Sequence, residues 1–353
     1  MSNGPIRAGI VGAGLMGRWH AWAVRKAGGS VVAIADPEPA RTRQLADDYP
    51  DAQLFENGAR MVADAHLDVL HVCTPRATHY ELAAAAIAAA VPVLIEKPLA
   101  TTAAETEQLL ELATARGVLI APVHQYLFQD GVLRAYEALE RVGPLVRIAG
   151  TFYSAGGQGL EREQMDSMVV DILPHPLSLM QRFLRSPLPQ QGWMAARSHP
   201  GELQWLGDAS GTSLSILISL HARPTVCALD IVGTNGTIHL NLYHGYAVIE
   251  SGRVSRVRKI THPFDLAART LGAASLNLAR RALRSESAYP GLLRLVRAFH
   301  DAVRLHGKSP ISATEALQVA QVRERLSAAA GMVPNRQQSR DPKLPLSDET
   351  AVR

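Results

Sequence analysis

The chain has 353 residues, enough for two domains of ordinary size, and hydrophobic residues make up 47% of it, which supports real cores. Its formal charge of +4 is spread along the chain and carried mostly by arginine, so it gives no nucleic-acid footprint. No uncharged apolar run reaches the roughly 18 residues of a membrane span. The start, MSNGPIRAGIVGAG, enters a strand almost at once with no charged segment and apolar leader, so the expectation is no signal peptide and a cytoplasmic protein. Cys73 and Cys227 lie far apart and match no metal spacing, so no metal is expected.

In chain order, IRAGIVGAG is a short apolar strand ending in glycines, and LMGRWHAWAVRKAGG is a helix closed by Gly28 and Gly29. SVVAIAD is a second strand, and PEPARTRQLADDY opens with prolines, as a first helical turn allows. LDVLHVCTP is a third strand, RATHYELAAAAIAAA an alanine-rich helix and VPVLIEKP a strand. TTAAETEQLLELATARG is a helix with a threonine start and a glycine stop, and VLIAPVHQY is another strand. Apolar strands alternating with helices predict a parallel sheet covered on both faces.

Residues 12–17, GAGLMG, fit G-x-G-x-x-G. The string alone is weak, but here it follows a strand, opens a helix and has Asp36 at the end of the next strand, the context of a dinucleotide-binding fingerprint. Gly12 permits the tight turn, Gly14 lets the backbone approach a pyrophosphate at the helix N-terminus beside Leu15 and Met16, and Gly17 allows close helix–strand packing. Asp36 would accept hydrogen bonds from the adenosine ribose. A carboxylate there repels a 2′-phosphate and favours NAD; Arg41 and Arg43 follow soon after and keep NADP as the alternative, although the exposed face of the next helix is the expected place for both. Lys97 is the middle residue of Glu-Lys-Pro at the end of a sheet strand, which points it toward the crevice where such sheets bind ligands.

The second region contains strand-like runs at 145–153, 214–221, 225–232 and 236–241, with GTNGT a tight turn between the last two. VDILPHPLSL, residues 169–178, sets His175 between two prolines, four residues after Asp171. Proline is tolerated mainly in a first helical turn, so His175 sits at or just before the start of the helix LSLMQRFL. Residues 262–284 read as a basic helix with Phe264, Ala268, Leu271, Ser275, Leu278 and Ala282 in one stripe, and Leu276 and Leu283 off it. It is either an inserted helix covered by a partner or the second domain, or a lid or surface helix for a lipid-linked or membrane-proximal substrate. PGLLRLVRAFHDAV and SATEALQVAQVRERLSAA are closing helices, the second with a serine cap before Glu315. The expected division is a dinucleotide-binding domain at 1–125, a substrate-binding and oligomerisation domain at 126–333, and a polar, disordered tail at 334–353.

GAGLMGRWH, CTPRATHYELAAAAIAAAVPVLIEKPLATT and DILPHPLSL, in that order, resemble the glucose–fructose oxidoreductase, inositol dehydrogenase and rhizopine-catabolism (Gfo/Idh/MocA) family over about residues 5–330, specifically in the N-terminal half and more loosely beyond 180. The resemblance implies an α/β Rossmann N-terminal domain and an α+β C-terminal domain with a large, mostly antiparallel sheet that often forms the subunit interface, hence a homo-oligomer, dimer or tetramer. It implies Lys97, Asp171 and His175 as the catalytic group, which also contacts substrate, and cofactor contacts from Thr74, Pro75, His79, Glu96 and Lys97. Two departures stand near where relatives hold substrate hydroxyls: Ser178 replaces a second aspartate, and Leu127 replaces an arginine before Phe128.

The chemistry this predicts is transfer of a hydride to or from a hydroxyl or keto carbon of a sugar, nucleotide sugar or related polyol. His175 is the proton acceptor, Lys97 stabilises alkoxide character, and Asp171 orients the imidazole or binds an adjacent hydroxyl. The alternatives are an NADPH-dependent ketone or imine reductase and a dinucleotide-sensing regulator without turnover. Gln125, with His124, is a candidate pocket residue. His66, His71, His221 and His239 read as packed or surface residues, and Cys73 as a small strand residue.

Overall fold

The computed structural model describes residues 4–332 except Arg185 and Val254; the tail expected to be disordered, 334–353, lies outside the described residues. Two compact units result: Met1–His124 with Leu292–Ala320, and Gln125–Gly291 with the chain from Gln321.

The first unit alternates strand and helix: β1 (Arg7–Val11), α1 (Leu15–Lys26), β2 (Ser30–Ala35), α2 (Pro39–Ala46), β3 (Gln53–Phe55), α3 (Gly58–Asp64), β4 (Val69–Val72), α4 (His79–Ala88), β5 (Val93–Ile95), α5 (Ala103–Arg116) and β6 (Ile120–Pro122). The sheet is parallel throughout, in the order β3-β2-β1-β4-β5-β6. Every residue of β4, β5 and β6 is buried, which is why these strands are continuous apolar runs rather than alternating ones. The order reverses between β1 and β4, and at such a switch point loops diverge and leave a crevice. Helix α5 shows how locally the ends are written: Thr102 and Glu105 form a reciprocal capping box, and Gly117 closes the helix at φ 63°.

The second unit holds α6 (Asp130–Glu137), β7 (Leu145–Tyr153), α7 (Arg162–Ile172), α8 (Pro174–Phe183), β8 (Met194–His199), β9 (Glu202–Ala209), β10 (Thr212–Ser219), β11 (Val226–Gly233), β12 (Gly236–Asn241), β13 (Tyr246–Ser251) and α9 (Arg256–Leu283). The strands form one sheet, β13-β12-β11-β7-β10-β9-β8, antiparallel except where β7 meets β10. The expected GTNGT turn is a hairpin closed by the Gly233–Gly236 pair. Leu203, Trp205, Leu214, Ile216, Leu229, Ile231, Ile238 and Leu240 are buried, and the Trp205 indole donates to the Leu326 carbonyl at 2.9 Å. Strands β8, β9 and β13 were not read from sequence; β8 (MAARSH) is largely exposed and lacks an apolar run.

Helix α9 begins six residues before the expected start and carries Pro263 within it. Its apolar stripe is exposed: Phe264 by 77%, Leu271 by 70% and Leu278 by 68%. Arg281 and Arg284 are turned back onto their own unit. Arg281 donates to the carbonyls of His244, Glu286 and Ser287, and Arg284 pairs with Asp130 at 2.9 Å.

The chain then supplies α10 (Leu292–Arg304) to the first unit, where the division at residue 125 did not put it; α11 (Ala313–Ala329) follows. Leu292, Leu295, Val296 and Phe299 bury one face of α10, which packs against α1. The sequence shows that amphipathic face but not which surface covers it. No described helix is long and apolar enough to cross a membrane.

Candidate active site

The glycine loop joins β1 to α1. A Cβ on Gly12, whose φ is +93°, would lie 2.6 Å from the Cys73 carbonyl oxygen, and one on Gly17 would lie 1.9 Å from the Gly12 carbonyl oxygen. Both positions therefore exclude side chains for reasons of backbone packing. A Cβ on Gly14 would meet nothing within 4 Å, and no side chain caps the start of α1 there. Main chain can thus come close to an anion at a helix N-terminus, with Leu15 and Met16 as the first helical residues.

Asp36 follows β2 and is buried. One carboxylate oxygen accepts from Ala13 N and the other from Glu38 N, each at 2.9 Å. The carboxylate is thereby fixed against the glycine loop and keeps lone pairs for a ribose diol. An open face at Gly14 beside a fixed acceptor fits a dinucleotide. Arg41 and Arg43 are exposed on α2, and Arg41 pairs with Glu38 at 2.7 Å.

The loop after β4 carries Thr74 and Pro75. His79 is buried at the start of α4, with Nε2 2.8 Å from the Thr74 carbonyl and Nδ1 2.8 Å from that of Pro98. A neutral imidazole donates to only one of these, and the doubly protonated ring donates to both. His79 is thus a strap between two loops, and any influence on a cofactor runs through them. Glu96 and Lys97 follow β5, and the Lys97–Pro98 peptide is cis. The Glu96 carboxylate faces His20 Nε2 at 3.2 Å and accepts from Lys97 N at 3.2 Å. Burial opposes its ionisation, but the hydrogen bond and charge of His20 and the charge of Lys97 outweigh that and hold its pKa below the usual range. Burial, with Glu96 nearby, pushes the Cys73 thiol well up, which removes it as a thiolate nucleophile.

In the second unit, α7 runs almost directly into α8. Asp171 lies in the last turn of α7, and His175 is the second residue of α8, flanked by Pro174 and Pro176 in a first turn that needs few backbone donors. His175 is buried and stacks on Tyr126, with ring centroids 4.5 Å apart and planes at 26°. Ser178 donates to the His175 carbonyl at 3.0 Å and so serves the helix. Gln125 is buried, and its Oε1 has no hydrogen-bond partner among the described residues, an acceptor of the kind a ligand hydroxyl satisfies.

The expected residues therefore fall into local groups. Gly12, Gly14, Gly17 and Asp36 meet at the β1–α1 turn; Thr74, His79, Glu96 and Lys97 belong to linked loops of the first unit; Gln125, Asp171 and His175 belong to the second. Tyr126 was not singled out from sequence, although it adjoins Gln125. His20 and His300 were also passed over, because their partners lie 51 and 229 residues away along the chain.

A doubly wound parallel sheet with a glycine-loop turn and a fixed acid, joined to an antiparallel-sheet unit, defines a dinucleotide-binding α/β protein. Residues 6–124 match the oxidoreductase family with an NAD-binding Rossmann fold, Gfo/Idh/MocA. Among relatives, it is 36% identical over 136 residues to inositol 2-dehydrogenase of Agrobacterium fabrum, covering 38% of each chain. It is 28% identical over 260 residues to inositol 2-dehydrogenase 2 of Paenarthrobacter aurescens, covering 67% of this chain and 75% of that one. The chain thus spans well under half the length of the first relative it matches. The WlbA dehydrogenase of Bordetella pertussis, solved with NADH and UDP-GlcNAcA, shares the fold at a TM-score of 0.75 and 16% identity, over 94% of this chain and 97% of that one. Levoglucosan dehydrogenase, solved with NADH and levoglucosan, does so at 0.72 and 16%, over 93% and 97%.

Proposed function

We propose that the protein is an NAD(P)-dependent oxidoreductase acting on a hydroxyl or keto carbon of a sugar, nucleotide sugar or related polyol. The observation that carries this is the placement of Lys97 after β5 of the same parallel sheet whose β1 ends in the glycine loop, both at carboxyl ends of strands, β1 beside the switch point and β5 one strand beyond it. The names of the relatives, inositol and sugar dehydrogenases, support the substrate class.

NAD, when bound, accepts or returns the hydride. Gly12, Gly14 and Gly17, with the first residues of α1, bind its diphosphate, and Asp36 binds the ribose diol. Asp36 also disfavours a 2′-phosphate, and Arg41 is engaged with Glu38, so NAD is preferred over NADP. Lys97, Asp171 and His175 form the proposed catalytic group. In the oxidative direction His175 takes the hydroxyl proton on a ring nitrogen, and the Lys97 ammonium stabilises the developing alkoxide. Asp171, one turn before His175, orients the imidazole or accepts from a neighbouring hydroxyl. Gln125 Oε1 is a further acceptor for substrate. Nicotinamide reduction in a screen of sugars, polyols and nucleotide sugars tests the reading; no turnover with any of them, in either direction, would leave a dinucleotide-sensing protein.

The same reading includes a cytoplasmic homo-oligomer. Val257, Phe264, Leu271 and Leu278 recur every seven residues along α9, and all are exposed. Heptad spacing of this kind suits a second helix rather than a flat surface, so the occupant we assign is α9 of another copy.

A further inference from the structure

Behind the Lys97 turn, the interior of the first unit contains a line of three imidazoles. His20 on α1 sits between Glu96 and His71, with Nε2 3.2 Å from Glu96 Oε1 and Nδ1 2.9 Å from His71 Nδ1. His71 on β4 reaches on to His300 on α10, Nε2 to Nε2 at 3.1 Å. All three rings are buried, and successive rings are nearly perpendicular, at 82° and 85°. The far nitrogen, His300 Nδ1, is buried and has no hydrogen-bond partner among the described residues. The ring nitrogens face each other, and among the described residues no group of three or more His, Cys, Asp or Glu is placed to hold a metal ion.

Three neutral rings can fill these contacts in only one way. Ionised Glu96 accepts, so His20 carries its proton on Nε2. Its Nδ1 is then an acceptor, which puts the His71 proton on Nδ1. His71 Nε2 accepts in turn, which puts the His300 proton on Nε2 and leaves Nδ1 bare. Burial, with the charges of its two neighbours, holds the His71 pKa well below the usual imidazole range. Burial, with Arg304 one turn away, holds that of His300 down at about 4, so both rings are neutral at pH 7. The other groups acting on the line are Lys97 and Cys73, both beside Glu96.

We propose that Glu96, His20, His71 and His300 work as one proton relay, in which a proton taken up at His300 Nδ1 arrives at the Glu96–His20 pair beside Lys97. The balance is one proton in and no change elsewhere. His300 gains a proton on Nδ1 and passes the one on Nε2 to His71 Nε2; His71 passes its Nδ1 proton to His20 Nδ1; the added proton then neutralises the Glu96–His20 pair. Every ring exchanges its tautomer, and the charge beside Lys97 changes by one. Running backwards, the line removes a proton from Glu96. His20, His71 and His300 are thus positioning residues that hold Glu96 as an anion against Lys97 N and connect it to α10. The relevance to Lys97 rests on the function proposed above, whereas the relay rests on the hydrogen bonds alone.

Nitrogen-15 NMR of the histidine rings in the full-length protein tests it without turnover. At pH 7.5 the expected tautomers are Nε2–H for His20, Nδ1–H for His71 and Nε2–H for His300. Glu96→Gln removes the anion that sets the direction, so the tautomer population of His300, two rings away, should change along with that of His20. Any other tautomer set in the unmutated protein overturns the relay. So does a Glu96→Gln spectrum in which the change stops at His20, the result expected of rings that are merely packed.

Discussion

The Tyr126 ring lies on the His175 ring, centroids 4.5 Å apart and planes 26° from parallel. The stack and the flanking prolines leave the imidazole little rotational freedom, so its direction is set before any substrate arrives. His175→Ala should lower turnover by about two to four orders of magnitude, the usual range for a general base, with dinucleotide affinity nearly unchanged. Lys97→Ala should do the same, with weaker substrate binding. Tyr126→Leu leaves the proposed base in place but without its stacking partner, and should lower kcat less than His175→Ala does. Full activity of His175→Ala over pH 6–9 in steady-state assays would reduce the residue to a structural one.

Asp36 is held by two backbone N–H groups against the glycine loop. Titration of the protein with each dinucleotide should therefore give tighter binding of NAD than of NADP. Asp36→Ala should narrow the gap from both sides, losing the ribose acceptor and the repulsion of a 2′-phosphate. Equal affinities in the unmutated protein would contradict the assignment.

The positions in the fold of the glycine loop, Asp36, Lys97 and His175 were legible in the sequence because each depends on its immediate neighbours: a strand before, a helix after, a proline on either side. What was not legible depends on distant chain. His71 reads as a packed strand histidine, and it is packed, but its partners come from α1 and from α10, 51 and 229 residues away. The return of α10 to the first unit is the same kind of fact, since its buried face is periodic in sequence while the surface it meets is not marked. Strands β8 and β9 escaped because sheet pairing, rather than an apolar run, holds them.

His239 lies between two carboxylates, with Nδ1 2.7 Å from Asp230 and Nε2 2.8 Å from Glu250. The Asp230 hydrogen bond raises its pKa against the opposing effect of burial, helped by the charges of Asp230 and Glu250 and the Glu250 hydrogen bond. A folded-state pKa above the unfolded value means that this stabilisation is fully present below the unfolded pKa of about 6.5 and is lost as pH rises through the folded one. The ring is partly exposed, so the contribution should stay below about 1 kcal/mol. Urea unfolding of the native protein and His239→Gln should differ more at pH 5.5 than at pH 9. A difference that is constant or grows with pH would contradict the pairing.

A monomer exposing Val257, Phe264, Leu271 and Leu278 along α9 leaves a contiguous apolar seam in water, which is uncommon on a stable single chain. The seven-residue spacing allows such a seam to meet its own copy, knobs from one helix entering holes on the other. Two arginines of the helix are already engaged, since Arg281 bonds to carbonyls of its own unit and Arg284 to Asp130. That weakens the case for an anionic membrane surface, which would need those charges turned outward. Phe264→Glu with Leu271→Glu places like charges in the seam without touching the buried side of the helix, where Asn277 donates to the His244 carbonyl. Sedimentation should show the unmutated protein as a dimer or tetramer and the double variant shifted toward monomer, with the circular dichroism spectrum preserved. An unmutated protein that sediments as a monomer and floats with anionic phosphatidylserine vesicles would assign the seam to lipid instead.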